Sequence, residues 1–277
     1  MKYYVNKSTV MFNLFNKKNN SKKEAIFLHV PKTGGSTFVG LLKDSIKIPI
    51  EDQKLHSHVI DKVGNVRISH IDFTNLNRFF QTPEIFDKAS QLEFKDRFLI
   101  FMLIRHPVDR IVSEFTFQYH ILNGKNGNVN AAIISKLKPL PTTLESYVNF
   151  PQTHNYQIKF LLGRKIADPN PVKNSDYAKI IDSIEQLPIH CGLTENYNQF
   201  LDTFQEHTSI KLKKKIIIRK RTPIQYEMSV DDSLKRKILK CNKYDYKLYN
   251  YIKEKTTTGF KNKPKEYNYN NSNDFIV

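Results

Sequence analysis

Residues 25–42 read AIFLHVPKTGGSTFVGLL and form the most informative segment of the chain. An apolar run with the length of a buried strand ends at Pro31, and apolar residues return at helical spacing from Phe38 onward. Between them lies a polar stretch with a lysine and two adjacent glycines. The pattern predicts a β-strand that turns through a glycine loop into an α-helix, which is the repeating unit of α/β folds.

The predicted loop has the composition of an anion-binding site. Gly34 and Gly35 allow backbone conformations that turn consecutive N–H groups toward one point, and the start of the helix adds partial positive charge. Lys32 supplies a full charge, and the hydroxyls of Ser36 and Thr37 are further donors that could also cap the helix. A phosphate or sulfate group fits these donors. The alternative is a plain strand-turn-helix connection with a solvated lysine.

A second segment, FLIFMLIRHPVDRIVSEF at residues 98–115, repeats the arrangement. Its continuous apolar run is typical of a parallel strand covered on both faces, and Pro107 stands where a helix would begin. Arg105 lies between strand and helix, and Ser113 falls about two turns into the helix, on the face of Arg110. Because ligands of open α/β sheets bind beyond the carboxyl ends of strands, the two segments predict one pocket for a ligand with two separated anionic groups.

The two segments resemble elements of the sulfotransferases that use 3'-phosphoadenosine 5'-phosphosulfate (PAPS), especially the carbohydrate branch that includes the heparan sulfate 2-O-sulfotransferases. HVPKTGGSTF is similar to that family's loop for the 5'-phosphosulfate, and IRHPVDRIVSEF is similar to its R-x-P-x-x-R-x-x-S element for the 3'-phosphate. The resemblance covers residues 25–255. It implies a P-loop-like α/β fold, in which helices flank a central, mostly parallel sheet, and PAPS as the sulfuryl donor.

The resemblance also implies the residues that bind PAPS. They are Lys32, Thr33, Gly34, Gly35, Ser36, Thr37, Arg105 and Ser113. A basic run at residues 211–221 lies where the family has a loop over the 3'-phosphate and adenine, so Arg219 and Lys220 are further candidates. By composition alone, this run could equally be a solvated face or a nucleic-acid patch. No metal ion is expected.

His70 is the expected general base. The alternating pattern of residues 66–73 predicts a short strand that runs into a loop near His70, and an imidazole can take a proton from a hydroxyl at neutral pH. The segment resembles the one that carries the family's catalytic histidine, with Ser69 in place of a glycine. Lys32 is the second expected catalytic residue, because it would neutralise charge on the leaving phosphate. Alternatives for the base are His58, His106 and Glu114.

Two later segments continue the resemblance. HNYQIKFLLG at residues 154–163 is similar to the family pattern N-x-Q-x-[RK]-[FYW]-L-x-G. Its polar residues suit sugar hydroxyls or an acidic group, but an amphipathic helix ended by Gly163 explains the segment as well. Residues 187–193 predict a third buried strand, after which Thr194 is expected to cap a helix that packs in the core. Asp231 or Asp232 is expected to cap the last helix.

The 277 residues are sufficient for one α/β domain. We expect a polar N-terminal arm at residues 1–24, a sulfotransferase domain at 25–255 and a polar tail at 256–277. The two cysteines lack metal-ligand spacing, which favours a reducing compartment. The chain shows no apolar run long enough for a membrane span and no cleavage pattern of a signal peptide, so we expect a soluble, cytoplasmic protein.

The predicted activity is in-line transfer of a sulfuryl group from PAPS to a carbohydrate or other hydroxyl acceptor. A formal charge of +17 suits a polyanionic acceptor, although lysine is abundant throughout the chain. One alternative is a polyanion- or nucleic-acid-binding module without catalysis, but the basic residues do not interleave with stacking aromatics, so nucleic acid is not expected. The other is a P-loop kinase, which the lysine before the glycines disfavours.

Overall fold

The computed structural model describes residues 23–46, 60–63, 66–69, 87, 91–123, 133–165, 167–213 and 230–258. Strands in these ranges are β1 (Glu24–Leu28), β2 (Ile60–Val63), β3 (Val66–Ser69), β4 (Phe98–Ile104) and β5 (Ile189–Leu193). Helices are α1 (Gly35–Ile46), α2 (Gln91–Arg97), α3 (Pro107–Asn123), α4 (Leu144–Val148), α5 (Tyr156–Leu161), α6 (Asn174–Gln186), α7 (Tyr197–Thr208), α8 (Asp232–Cys241) and α9 (Lys243–Thr258). Short 3-10 turns occupy Ile134–Lys136, Pro151–Thr153 and Thr194–Asn196.

The strands form one sheet in the order β2-β3-β1-β4-β5. β3, β1, β4 and β5 run parallel, and β2 pairs antiparallel with β3 at the edge. The predicted α/β fold with a mostly parallel sheet is therefore confirmed. α1, which follows β1, packs on the face of the sheet that carries Phe27 and Leu99. Open α/β sheets bind ligands beyond the carboxyl ends of their strands, so the ends of the neighbouring strands β1 and β4 are where a site is expected.

Helices cover both faces of the sheet. β4 is buried over its whole length, and its side chains alternate between the faces. Ile100, Met102 and Ile104 pack with α5, α6 and α9. Leu99, Phe101 and Leu103 pack with α1 and α7 on the opposite face. The continuous apolar run of residues 98–104 thus has the origin that the sequence predicts, a strand between two layers of helices.

Three predicted helix ends are confirmed, and the predicted cap at Thr194 is wrong. α3 begins at Pro107, and the carboxylate of Asp231 accepts the amide of Leu234 at 2.7 Å. The helix that Asp231 caps is α8, and not the last helix as expected, because α9 follows it from Lys243. Gly163 follows α5 with a φ of 69°, the left-handed conformation expected after a helix. Thr194 does not cap α7, because that helix begins at Tyr197 and no side chain caps it.

The predicted domain boundaries, residues 25 and 255, lie inside the first strand and the last helix. β1 begins at Glu24 and α9 continues to Thr258, so the strand and the last helix extend slightly past residues 25 and 255. The division into arm, domain and tail remains a prediction. Among the described residues, no helix has both the length and the apolar character needed to cross a bilayer.

Candidate active site

The loop after β1 turns through two residues with positive φ. Gly34 has a φ of 89° and Lys32 a φ of 68°. A glycine adopts this conformation readily, but for a lysine it is uncommon, and such strained positions cluster at functional sites. The buried hydroxyl of Thr33 donates to the carbonyl of Val30 at 2.9 Å and fixes the loop from inside.

α1 begins directly at the end of this loop. The Gly34 carbonyl accepts the amides of Thr37 at 3.0 Å and Phe38 at 3.3 Å, so the first turn of the helix starts at Gly35. Ser36 and Thr37 lie inside that turn, so the expectation that their side chains cap the helix is wrong. The first turn of a helix has amides without carbonyl partners inside the helix, and with the positive end of the dipole these donors suit an anion.

Gly35 is required by the close approach of a buried histidine. A Cβ atom at this position would lie 2.1 Å from Cδ2 of His29, well inside van der Waals contact. His29 follows the last residue of β1, and its ring packs at 5.9 Å from that of Phe27. It is 4% exposed and therefore part of the core.

Arg105 links the two predicted anion-binding segments. It directly follows β4, and its Nη1 donates to the carbonyl oxygen of Lys32 at 3.3 Å. Burial lowers the pKa of Arg105, while the nearby carboxylate of Asp109 opposes that shift. The structure therefore brings the ends of β1 and β4 together, with a cationic side chain from each.

The side chain of Lys32 extends to α3. Its Nζ lies 4.0 Å from the centroid of the Phe117 ring, a cation–π contact. Ser113 is half-buried and precedes Phe117 by four residues, so the two share one face of the helix. The face of α3 that carries Ser113 is therefore turned toward the loop that carries Lys32.

Arg110, three residues before Ser113, is buried in the protein interior. It is 1% exposed, and its Nη1 lies 2.5 Å from Oε2 of Glu114, which is also buried. The guanidinium also packs on the ring of Tyr156 at 4.7 Å. Glu114 is engaged in this ion pair, which does not support its role as an alternative general base. Arg110 stands three residues before Ser113, but its guanidinium is buried and paired with the carboxylate one turn later.

Thr194 and Tyr197, which follow β5, bind the loop after β1, and Thr194 also binds the end of β4. The sequence did not predict this role for either residue. The hydroxyl of Thr194 donates to the carbonyls of Thr33 at 2.9 Å and Ile104 at 3.2 Å. The hydroxyl of Tyr197 donates to the Gly34 carbonyl at 3.2 Å. The available signal was their position directly after a third buried strand, because parallel strands end at the same edge of the sheet.

The segment with Asn155, Gln157 and Lys159 is buried rather than exposed to an acceptor. Gln157 Oε1 accepts the amide of Arg105, and Gln157 Nε2 donates to the carbonyl of Arg105, both at 3.0 Å. Asp245 in α9 accepts the amide of Gln157 at 3.0 Å. These side chains bond to the backbone, so the interpretation as a sugar-binding face is not supported.

Several expected residues lie outside the described part of the chain: His58, His70, Arg219 and Lys220. The strand before His70 is described, and its last residue, Ser69, pairs with Leu28 at the end of β1. His106 packs edge-on against Tyr246 and Tyr249 of α9. The described residues contain no group of three or more histidine, cysteine or carboxylate side chains placed to hold a metal ion.

The comparison with known families agrees with this geometry. The model of the sulfotransferase family matches residues 18–159, just over half of the chain. The chain belongs to the sulfotransferase family. The match contains the loop after β1, Arg105 and Ser113, so both predicted anion-binding segments of this sulfotransferase lie within it. No curated protein matches the chain at a significant level. The activity of this sulfotransferase is accordingly transfer of a sulfuryl group.

Proposed function

We propose that this sulfotransferase takes its sulfuryl group from PAPS and transfers it to a hydroxyl group of a carbohydrate. The contact between the two loops is the main support, because Arg105 after β4 bonds to the Lys32 carbonyl in the glycine loop. Two cationic side chains thus lie at adjoining strand ends. PAPS carries two separated anionic groups, the 5'-phosphosulfate and the 3'-phosphate, and this arrangement suits both.

The glycine loop is the proposed site of the 5'-phosphosulfate. Thr33, Gly34, Gly35, Ser36 and Thr37 would supply amide and hydroxyl donors there. Lys32 would neutralise the negative charge that develops on the leaving phosphate. Removing one such donor from a transition state typically costs about 2.7 to 4 kcal/mol of barrier.

The end of β4 is the proposed site of the 3'-phosphate. Arg105 would pair with the phosphate, and the hydroxyl of Ser113 would donate to it from α3. Arg219 and Lys220 are proposed as further contacts. The 3'-phosphate distinguishes PAPS from ATP, so these residues would set the choice of donor.

The proposed transfer step needs positioning and proton removal. The acceptor oxygen forms a bond to sulfur as the bond from sulfur to the bridging phosphate oxygen breaks. His70 would take the hydroxyl proton, and the bisphosphate PAP (adenosine 3',5'-bisphosphate) would leave. In support of this role, β3 ends next to the last residue of β1, at the edge of the sheet that carries Lys32.

The test is a thermal unfolding experiment with PAP, ADP and ATP on the parent protein and two variants. Arg105→Ala removes the proposed 3'-phosphate contact. Arg97→Ala is the matched control, because Arg97 precedes β4 and its exposed guanidinium stands at the opposite end of the same strand. A ligand that binds only the folded state raises its stability, by about 2.7 kcal/mol at a hundred times its dissociation constant.

We expect PAP to stabilise the parent and Arg97→Ala more than ADP or ATP does. Arg105→Ala should bind PAP roughly 10- to 100-fold more weakly, because a charge-assisted hydrogen bond contributes about 1.5 to 3 kcal/mol. Equal stabilisation by PAP and ATP would overturn the PAPS proposal and favour a nucleotide kinase. An effect of PAP that merely follows salt concentration would favour a charge-driven polyanion binder.

A further inference from the structure

We propose that Gln157 and Asp245 are positioning residues that hold Arg105 in place and so set the preference for a 3'-phosphate. The inference rests on the proposed function, because it concerns the site assigned to that phosphate. Neither side chain needs to touch the ligand. They act through a continuous set of hydrogen bonds that runs from the last helix to Arg105.

The first link is a two-bond pair between a side chain and a backbone. Gln157 is completely buried, and its amide group accepts the N–H of Arg105 and donates to its carbonyl, both at 3.0 Å. Both polar groups of the Arg105 backbone are therefore bound by one side chain. The guanidinium extends from this fixed point to the Lys32 carbonyl.

The second link fixes Gln157 itself. The carboxylate of Asp245, which is also completely buried, accepts the amides of Gln157 at 3.0 Å and Ile158 at 2.9 Å. These amides belong to the first turn of α5, so Asp245 caps this helix from α9. The carboxylate thereby sets the position of the helix turn from which Gln157 reaches Arg105.

The third link returns from α5 to α9. Asn155 has a left-handed backbone with a φ of 48°, and its Oδ1 accepts the amides of Tyr244 at 2.8 Å and Asp245 at 3.2 Å. Asn242 Oδ1 accepts the Asn155 amide at 2.7 Å. Residues at the start of α5 thus cap α9, and Asp245 at the start of α9 caps α5. These bonds fix the position of the two helices relative to each other at the turn nearest Arg105.

This arrangement gives α9 a role in the site although it lies beyond the family match, which ends at residue 159. A small displacement at Arg105 would matter, because a misplacement of about 1 Å can cost on the order of a hundredfold in rate. Loss of the Gln157 pair should therefore weaken binding of the 3'-phosphate selectively. The rest of the nucleotide should bind nearly as before.

The experiment compares PAP with AMP, which lacks only the 3'-phosphate, by isothermal titration calorimetry. Gln157→Met keeps the length of the side chain and removes both hydrogen bonds. Lys159→Met is the matched control, because Lys159 is also buried in α5 but bonds to the carbonyls of Pro151 and Asp168 instead. Thermal unfolding without ligand reports the stability of each protein.

We expect Gln157→Met to lower the ratio of PAP affinity to AMP affinity about tenfold, and Lys159→Met to leave it unchanged even where stability falls. Asp245→Asn should lower the ratio by a smaller factor, since one acceptor remains. If Gln157→Met does not fold, the ratio measured for Asp245→Asn tests the inference in its place. Ratios equal to that of the parent in these two variants would overturn the inference. A parent protein without preference for PAP would overturn the proposed function and this inference with it.

Discussion

Lys159 is a charged residue of the interior whose ammonium group titrates within reach of experiment. It is 3% exposed and donates to two backbone carbonyls, those of Pro151 and Asp168. Burial lowers its pKa from 10.5 to about 8, although the carboxylate of Asp168 opposes the shift. The folded protein therefore binds this proton less tightly than the unfolded chain does.

The pKa of Lys159 leads to a stability that depends on pH. Between about pH 8 and pH 10.5 the unfolded chain holds this proton and the folded protein has lost it, so stability rises with pH. We expect the free energy of unfolding of the parent to increase relative to Lys159→Met, on the order of 1 kcal/mol per pH unit in this window. Urea denaturation of both proteins from about pH 7 to pH 10 measures the difference. A difference that stays constant across this range contradicts the prediction.

At the residue scale, the sequence predicted which side chains suit an anion better than it predicted where those side chains lie. The glycine loop and Arg105 were assigned from residue types that suit anions, and the structure brings these residues to one edge. Arg110 has the same chemistry but is buried against Glu114 and Tyr156. Helical spacing gives the face of a residue relative to its own helix. It does not say whether that face is buried against the rest of the protein, since that depends on packing.

At the scale of elements, one hydroxyl connects three loops at the carboxyl ends of the strands. Thr194 after β5 donates to Thr33 after β1 and to Ile104 at the end of β4. We expect Thr194→Val, which keeps the shape and removes the donor, to lose about 1 kcal/mol of stability and to weaken PAP binding.

The matched control for Thr194 lies on the helix that follows it. Within the described part of the chain, the hydroxyl of Thr203 donates to the Gln199 carbonyl one turn earlier, at 3.0 Å, and the residue is partly exposed. Thr203→Val should therefore change neither stability nor PAP affinity by more than a small amount. Chemical denaturation and calorimetric titration of both variants give the two quantities. Equal effects of the two substitutions would mean that the bridge between the loops has no role in binding.

Regular elements were predictable because their signals are local. The apolar runs of β1, β4 and β5 and the helix start at Pro107 each lie within a few residues of the chain. The contacts that assemble the site are not local, since Gln157 and Arg105 are 52 residues apart and Thr194 and Thr33 are 161 apart. A single sequence carries no periodicity that reports such pairs, so these contacts required the structure.

At the scale of the whole molecule, the C-terminal helix is part of the same core as the sheet. Leu248 and Ile252 of α9 belong to one buried cluster with Ile26 of β1 and Ile100 of β4. Through Asp245 the same helix also caps α5. The region matched by the family model ends at residue 159, yet β4 pairs with β5 at residues 189–193 and packs with α9. The fold therefore requires the chain well beyond the matched region.

This integration predicts that a defect in α9 destabilises the protein as a unit. Leu248 is completely buried, so Leu248→Ala should lower the free energy of unfolding by about 2 to 5 kcal/mol. Lys247→Ala, at the exposed neighbouring position, should change it by no more than about 0.5 kcal/mol. Denaturation followed by circular dichroism, with loss of PAP binding as a second probe, should give one shared midpoint for each protein. If α9 were instead an independent unit, Leu248→Ala would unfold this helix alone. PAP binding would then be lost at the same denaturant concentration as in the parent, because the strand ends and loops of the site would keep their own stability.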